Sequence, residues 1–203
     1  SDKTMLKALD GILVVDLAGS VATTYCSKLF VDYGATVVNL EPEVGFPTRQ
    51  LAPFIDEAST ESAMHGYLNA NKKSVRRDLI SDDAIAALLS EANLVLGDGT
   101  DIGLFDSRLR MDISWYDDCG PYADFIGSDA QCFALNGMLR NIGHADGPPL
   151  IPTGYQAQIV GGMTAFVGAM GQVLAQELNA DGAGLHMRTS IFEAMMCFTE
   201  VGA

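Results

Sequence analysis

GILVVDLAGSVATTYCSKLFVDYGATVVNLEP, residues 11–42, decides the fold. Its opening run, GILVVDL (11–17), is almost wholly apolar, the pattern of a strand buried on both faces. Ser20 stands where an N-cap hydroxyl accepts a backbone N–H, and Ala22, Cys26, Leu29 and Phe30 then share one helical face. Gly34 closes that helix, and TVVNLEP (36–42) is a second buried strand ending at Pro42. Strand, helix and strand within about 30 residues predict a right-handed βαβ unit.

The alternation continues outward. Residues 43–70, with Gly45, Pro47 and Pro53, show no period and predict an irregular surface segment. SVRRDL (74–79) predicts a third strand, Ser81 caps a helix through Ala92, and NLVLGD (93–98) predicts a fourth strand. Residues 99–126 are turn-rich, with ISW (113–115) as a short strand; a helix over Ala130–Asn141 follows. After the Pro-rich DGPPLIPTGY (146–155), a helix rich in small residues is expected to begin near Gln158. A short strand at Leu185–Thr189 and a helix from Ser190 complete the chain. The fold class is therefore α/β: a Rossmann-like, open, mostly parallel sheet with helices on both faces. No repeat, linker or low-complexity tract divides the 203 residues.

Composition narrows the function. A formal charge of −14 makes nucleic acid a poor partner, because phosphate binding needs a basic footprint. Four scattered cysteines (Cys26, Cys119, Cys132, Cys197) read as thiols of a reducing compartment. Three histidines share no metal-ligand spacing with them, so no metal site is expected. Residues 159–175 are apolar but short of a span and lack basic flanks, which predicts a core helix and no membrane partner. SDKTMLKALD has no apolar signal core, leaving the cytoplasm as the expected location.

Three motifs bear on chemistry. The first strand–helix turn, DLAGSVA, holds only Gly19 of the three glycines of a dinucleotide fingerprint, which argues against NAD even with Glu41 ending the second strand. NKKSVRR (71–77) holds four of the twelve basic residues. One reading is a phosphate contact, with Lys72 or Lys73 as a point charge and Arg76 or Arg77 as a fork; the other is charge blunting a strand edge. In the small-residue helix, Gly161, Ala165, Gly168, Gly171 and Ala175 share one face, to which a backbone or a ligand comes close.

Taken in order, GILVVDLAGSVATTYCSKLFVDYGATVVNLEP, LNANKKSVRRDL, GPYAD…GSD, NGMLRNIG, DGPPLIP and GLHMRTSIFEAM resemble the family III CoA-transferases. That group includes the carnitine-CoA-transferase-like enzymes, formyl-CoA transferases and 2-methylacyl-CoA racemases. The resemblance covers nearly the whole chain. It implies an enzyme about twice as long, with this stretch as the amino-terminal part of its large domain. It further implies coenzyme A or an acyl-CoA as ligand, and a homodimer of interlocked rings or a tandem sister domain as partner.

In that family an aspartate attacks the thioester and becomes an aspartyl-CoA thioester. The matching position here is Gln158, an amide without nucleophilic oxygen or titratable proton. The resemblance carries CoA contacts onto Ala22, Arg49, Asn71, Lys72 and Lys73, with Ser74 in the same motif. Tyr122, after Gly120 and Pro121, falls in the turn before the active-site wall, and Asp129 in the GSD-like segment, where Ser128 replaces the racemases' histidine. The family lysine before Glu41 is absent, with Asn39 and Leu40 there, and GDGTDIG (97–103) is acidic where an arginine-bearing CoA turn is usual. The implied function is a CoA-binding domain catalytically impaired by itself. The alternatives are chemistry through another carboxylate, Asp129 or Glu193, or by direct acceptor attack, and a non-catalytic dimerisation module.

Overall fold

The computed structural model describes residues 7–56, 58–100, 109–178 and 185–198. Six strands form one fully parallel sheet: β1 (Leu13–Asp16), β2 (Thr36–Glu41), β3 (Lys73–Arg76), β4 (Leu94–Gly97), β5 (Leu109–Ser114) and β6 (Leu185–Ser190). Their order is β3-β2-β1-β4-β5-β6, so the sheet reverses direction of growth between β1 and β4.

On one face pack α1 (Val21–Asp32), α4 (Asp129–Leu135), α5 (Gln156–Leu178) and α6 (Ile191–Met195). They enclose the larger core, in which Val14, Val37, Leu94, Leu109 and Met111 of the strands meet Phe30, Ala165 and Ala169 of the helices. On the other face α3 (Asp82–Glu91) sets Ile85 and Leu89 against Val15, Leu40 and Val95. The expected α/β class, with helices on both faces, is what the chain adopts.

Several boundaries differ from expectation. Residues 43–70 are not wholly irregular. A 3-10 turn (Pro47–Gln50) and α2 (Ala63–Asn69) lie there, with α2 started by the Ser62 hydroxyl accepting from His65 N. The third strand is Lys73–Arg76, and Arg77–Leu79 coils into a 3-10 turn. Instead of a short strand at 113–115, β5 runs from Leu109 to Ser114 between β4 and β6. Its charges obscured it: Asp112, 2% exposed, accepts from Arg110 Nε at 3.1 Å and pairs with His186 Nε2 at 2.6 Å, and this makes a charged strand tolerable inside the sheet. The helix expected over 130–141 stops at Leu135, because Gly137 takes φ +82° and a 3-10 turn follows.

Two glycines are fixed by close approach. Gly19 ends the first strand–helix turn at φ +64° with the Phe46 ring against it, where a β-carbon would collide. That buried ring covers the ground on which a dinucleotide's pyrophosphate sits in related sheets. At Gly162, α5 crosses α1 so closely that a β-carbon would lie 2.5 Å from Ala22 O, 3.2 Å from Tyr25 Cβ and 3.3 Å from Cys26 N. This backbone approach falls at Gly162, off the small face expected: on that face Gly161 meets the Ile191 side chain, Gly168 the Met187 and Met111 side chains, and Gly171 nothing. Gly162→Ala is expected to destabilise the fold by roughly 2–3 kcal/mol, since a backbone carbonyl cannot swing aside. Gly171 has nothing within 4 Å of its would-be β-carbon, so Gly171→Ala should be neutral or stabilise by up to about 1 kcal/mol. Urea titration of the two variants checks both signs.

Candidate functional site

The carboxyl ends of β1, β4 and β5 open onto a cavity of about 260 Å³ at the point where the strand order reverses. Each wall has a local cause. Ser20 caps α1, accepting from Thr23 N at 3.1 Å, and so stands directly above β1. Asp98 is the first residue past β4, and Trp115 and Tyr116 follow β5. Phe125 comes from the loop before α4, and Gln158 from the first turn of α5. A neighbouring cleft of about 310 Å³ shares Asp98, Ser114 and Tyr116 and reaches Arg188, which is ion-paired with Asp118.

Helix α5 begins at Gln156, two residues before the expected start, so Gln158 lies within its first turn and not at the mouth. The anion at that mouth is Asp129, reaching across from α4. Its Oδ1 accepts from Ala157 N at 2.8 Å and Gln158 N at 3.3 Å, and its Oδ2 accepts from Gln158 Nε2 at 3.0 Å. A carboxylate there complements both the unpaired N–H groups and the positive end of the helix dipole. Because a carboxylate only accepts, the Gln158 amide is fixed with Nε2 toward Asp129, which leaves Oε1 as the amide atom without a partner among the described residues. Of the other carboxylates considered, Asp129 is thus committed to α5, whereas Glu193 is exposed and lines neither space.

Two polar networks lie under the β1–β2 side. At the end of β1, Asp16 is fully buried and accepts from Gly19 N (3.1 Å), Ala18 N (3.2 Å) and Ser27 Oγ (3.0 Å). The same Ser27 hydroxyl accepts from Lys72 Nζ at 2.7 Å, and the ammonium also donates to Thr24 O (2.8 Å) and Asn69 Oδ1 (3.2 Å). Burial raises the Asp16 carboxyl above its ordinary range, against the opposing pull of Lys72. Burial likewise lowers the Lys72 ammonium to about 8, with Asp16 working the other way.

At the end of β2, Arg49 forks onto Glu41, with Nε and Nη2 both at 2.7 Å; Ser74 Oγ donates at 2.5 Å and Phe46 N at 2.9 Å. Burial would raise the Glu41 carboxyl, but these donors outweigh it and hold it at about 2. A carboxyl held below its unfolded value of 4.5 stabilises fully above about pH 4.5 and loses that contribution as pH falls toward 2. With the Arg49 side chain 46% exposed, the effect is roughly 2 kcal/mol after allowance for screening. Acid unfolding followed by circular dichroism should therefore steepen below pH 4.5, and Glu41→Gln should flatten that limb.

The structure sorts the expected contact residues. Lys72 was expected at a phosphate, yet its ammonium is turned inward on three internal acceptors. Ala22 is completely buried where α1 meets α5, so its methyl offers no surface to a ligand. Arg76 is paired with Asp78, while Lys73 is exposed and Asn71 sits at φ +65° in the turn before β3. Arg49 borders a separate cleft of about 360 Å³ with Ser62 and His65. Tyr122 belongs to an aromatic group with Tyr116, Phe125 and Phe192, behind the cavity wall. Trp115 and Phe125 were not anticipated, and Asp98 only as part of the acidic turn at 97–103. The available signal was position, since a parallel sheet presents to ligands the residues just past its strands.

A family model described as CoA-transferase family III matches residues 9–99 and 109–202. The succinate–glutarate CoA-transferase of Agrobacterium fabrum is 31% identical over 163 residues, covering 70% of this chain and 41% of that protein. The mouse succinyl-CoA:glutarate CoA-transferase is 27% identical over 222 aligned positions, covering all of this chain and 50% of that protein. The acetyl-CoA:oxalate CoA-transferase of Acetobacter aceti is 25% identical, covering 94% and 52%. The chain thus spans about half the length of the curated relatives it matches. A crystal structure of a CAIB/BAIF family protein from Brucella suis superposes with a TM-score of 0.83 at 24% identity, over 96% of this chain and 56% of that one, and so shares the fold. With the family model matched from β1 through α6, this chain belongs to CoA-transferase family III.

Proposed function

We propose that the chain is the acyl-CoA-binding, amino-terminal part of a longer or tandem CoA-transferase, and that position 158 carries no covalent chemistry. The observation behind this reading is the Gln158 amide itself: it stands in the wall of the cavity at the strand ends, tied to Asp129 at 3.0 Å. An amide oxygen is a poor nucleophile, and no charged state of glutamine remedies that. CoA as ligand follows from the relatives, all three of which are named for CoA transfer between carboxylic acids. The chain's contribution is then to bind and orient a thioester, while an acid on a second subunit or sister domain supplies the nucleophile. Titration calorimetry of the full-length protein with CoA and acetyl-CoA is expected to show saturable binding below millimolar concentrations. No heat at millimolar ligand would remove the proposal.

A further inference from the structure

Resting on the reading that this chain binds an acyl-CoA, we infer that the cleft beside Arg49 holds the ribose 3′-phosphate of CoA, with the His65 Nε2–H as the donor that grips it.

The tautomer of the ring follows from its neighbours. Lys72 can only donate, so Asn69 turns Oδ1 to that ammonium at 3.2 Å, and Asn39 Nδ2 donates to the same oxygen at 2.8 Å. Asn69 Nδ2 then lies against His65 Nδ1 at 3.1 Å, and Nδ1 must accept. The buried Thr48 hydroxyl donates to the same nitrogen at 2.9 Å. With Nδ1 an acceptor twice over, the ring is neutral and its proton sits on Nε2. That atom is on the ring edge away from Thr48 and has no partner among the described residues. Burial and the Arg49 charge hold the ring below its ordinary pKa, Glu41 opposing and Lys72 adding to them.

His65 lines the cleft of about 360 Å³ together with Arg49, Thr60 and Glu61. Arg49 gives Nε and Nη2 to Glu41 at 2.7 Å each, and Nη1 has no partner among the described residues. A guanidinium edge and an imidazole N–H in one wall suit a phosphate oxygen, which takes charge-assisted bonds from both. Glu61, the one acid lining the cleft among the described residues, is an acceptor for the ribose hydroxyl beside that phosphate. Glu41 ends β2, so the cleft lies at the same carboxyl edge of the sheet as the strand-end cavity. The pantetheine arm of CoA runs along that edge between the two.

The test is calorimetry on the full-length protein with CoA, dephospho-CoA and inorganic phosphate. The wild type is expected to bind CoA at least about tenfold more tightly than dephospho-CoA, the factor that about 1.4 kcal/mol produces. In His65→Asn the amide oxygen still reaches Thr48 and Asn69 while the Nε2 end is gone. CoA should then fall to within about twofold of dephospho-CoA, whose own affinity stays unchanged. His65→Gln, which restores an N–H at the Nε2 position, should recover part of the ratio. Equal wild-type affinities for CoA and dephospho-CoA overturn the inference without any variant, as does a ratio that survives His65→Asn. Inorganic phosphate that binds and is lost in His65→Asn, with no preference for CoA over dephospho-CoA, assigns the cleft to free phosphate and overturns it too. Failure of both CoA and dephospho-CoA to bind the wild type removes the acyl-CoA reading and this inference with it.

Discussion

Replacing Gln158 by aspartate in the full-length protein is expected to create a covalent acyl or CoA adduct at residue 158 where the wild type forms none. The side chain already lines the cavity, and its backbone is fixed by Asp129, so the change adds a nucleophile without moving the helix. It also sets one carboxylate beside another. Asp129 now accepts an N–H from the Gln158 amide at 3.0 Å, and in the variant that donor is gone. Like charges at such range raise the pKa of the pair, so adduct formation should increase with pH as the second carboxyl ionises. Loss of a nucleophile from an evolved site costs on the order of 10⁶ in turnover; regaining one in an unadapted site should return roughly 10²-fold or more. Hydroxylamine trapping followed by peptide mass spectrometry locates the adduct. If the wild type is already active and Gln158→Asp neither changes the rate nor yields an adduct at 158, the reaction does not pass through this position.

Lys72→Met should destabilise the fold by about 3–5 kcal/mol. The ammonium is hydrogen-bonded through the Ser27 hydroxyl to the fully buried Asp16, and its removal leaves that carboxylate without its cation. Thr24 O and Asn69 Oδ1 lose a donor at the same time. Replacing both members is expected to cost less than replacing the lysine alone: Lys72→Met with Asp16→Asn should recover at least half of the loss, since the buried charge goes with its partner. Were Lys72 instead an exposed phosphate contact, the single substitution would lower CoA affinity and leave the unfolding midpoint within about 0.5 kcal/mol of the wild type.

Periodicity made much of this molecule legible in advance. The apolar runs of β1, β2 and β4, the serine caps at Ser20 and Ser81 and the small residues of α5 are local signals, and each element stands within a few residues of where its pattern places it. β5 was obscured because Arg110, Asp112 and Ser114 break the apolar run, and Asp112 has its second partner in His186, 74 residues away. α2 is only seven residues long, with Pro47 and Pro53 in the segment before it. It is held by contacts such as Thr48 Oγ1 to His65 Nδ1 at 2.9 Å, which no helical period reveals.

The sequence by itself determined the layered α/β architecture, the family, and the amide at position 158, because burial period, capping chemistry and residue identity are properties of the chain read locally. Tertiary structure alone decided which polar groups meet. It turned Lys72 inward to Ser27 across 45 residues, tied Gln158 to Asp129 across 29, and set Asp98 in the same wall as Gln158. Each of those pairings brings together groups from separate elements at the strand ends. A group's charge state and reactivity depend on what stands within a few ångströms of it, and a local pattern does not contain that information.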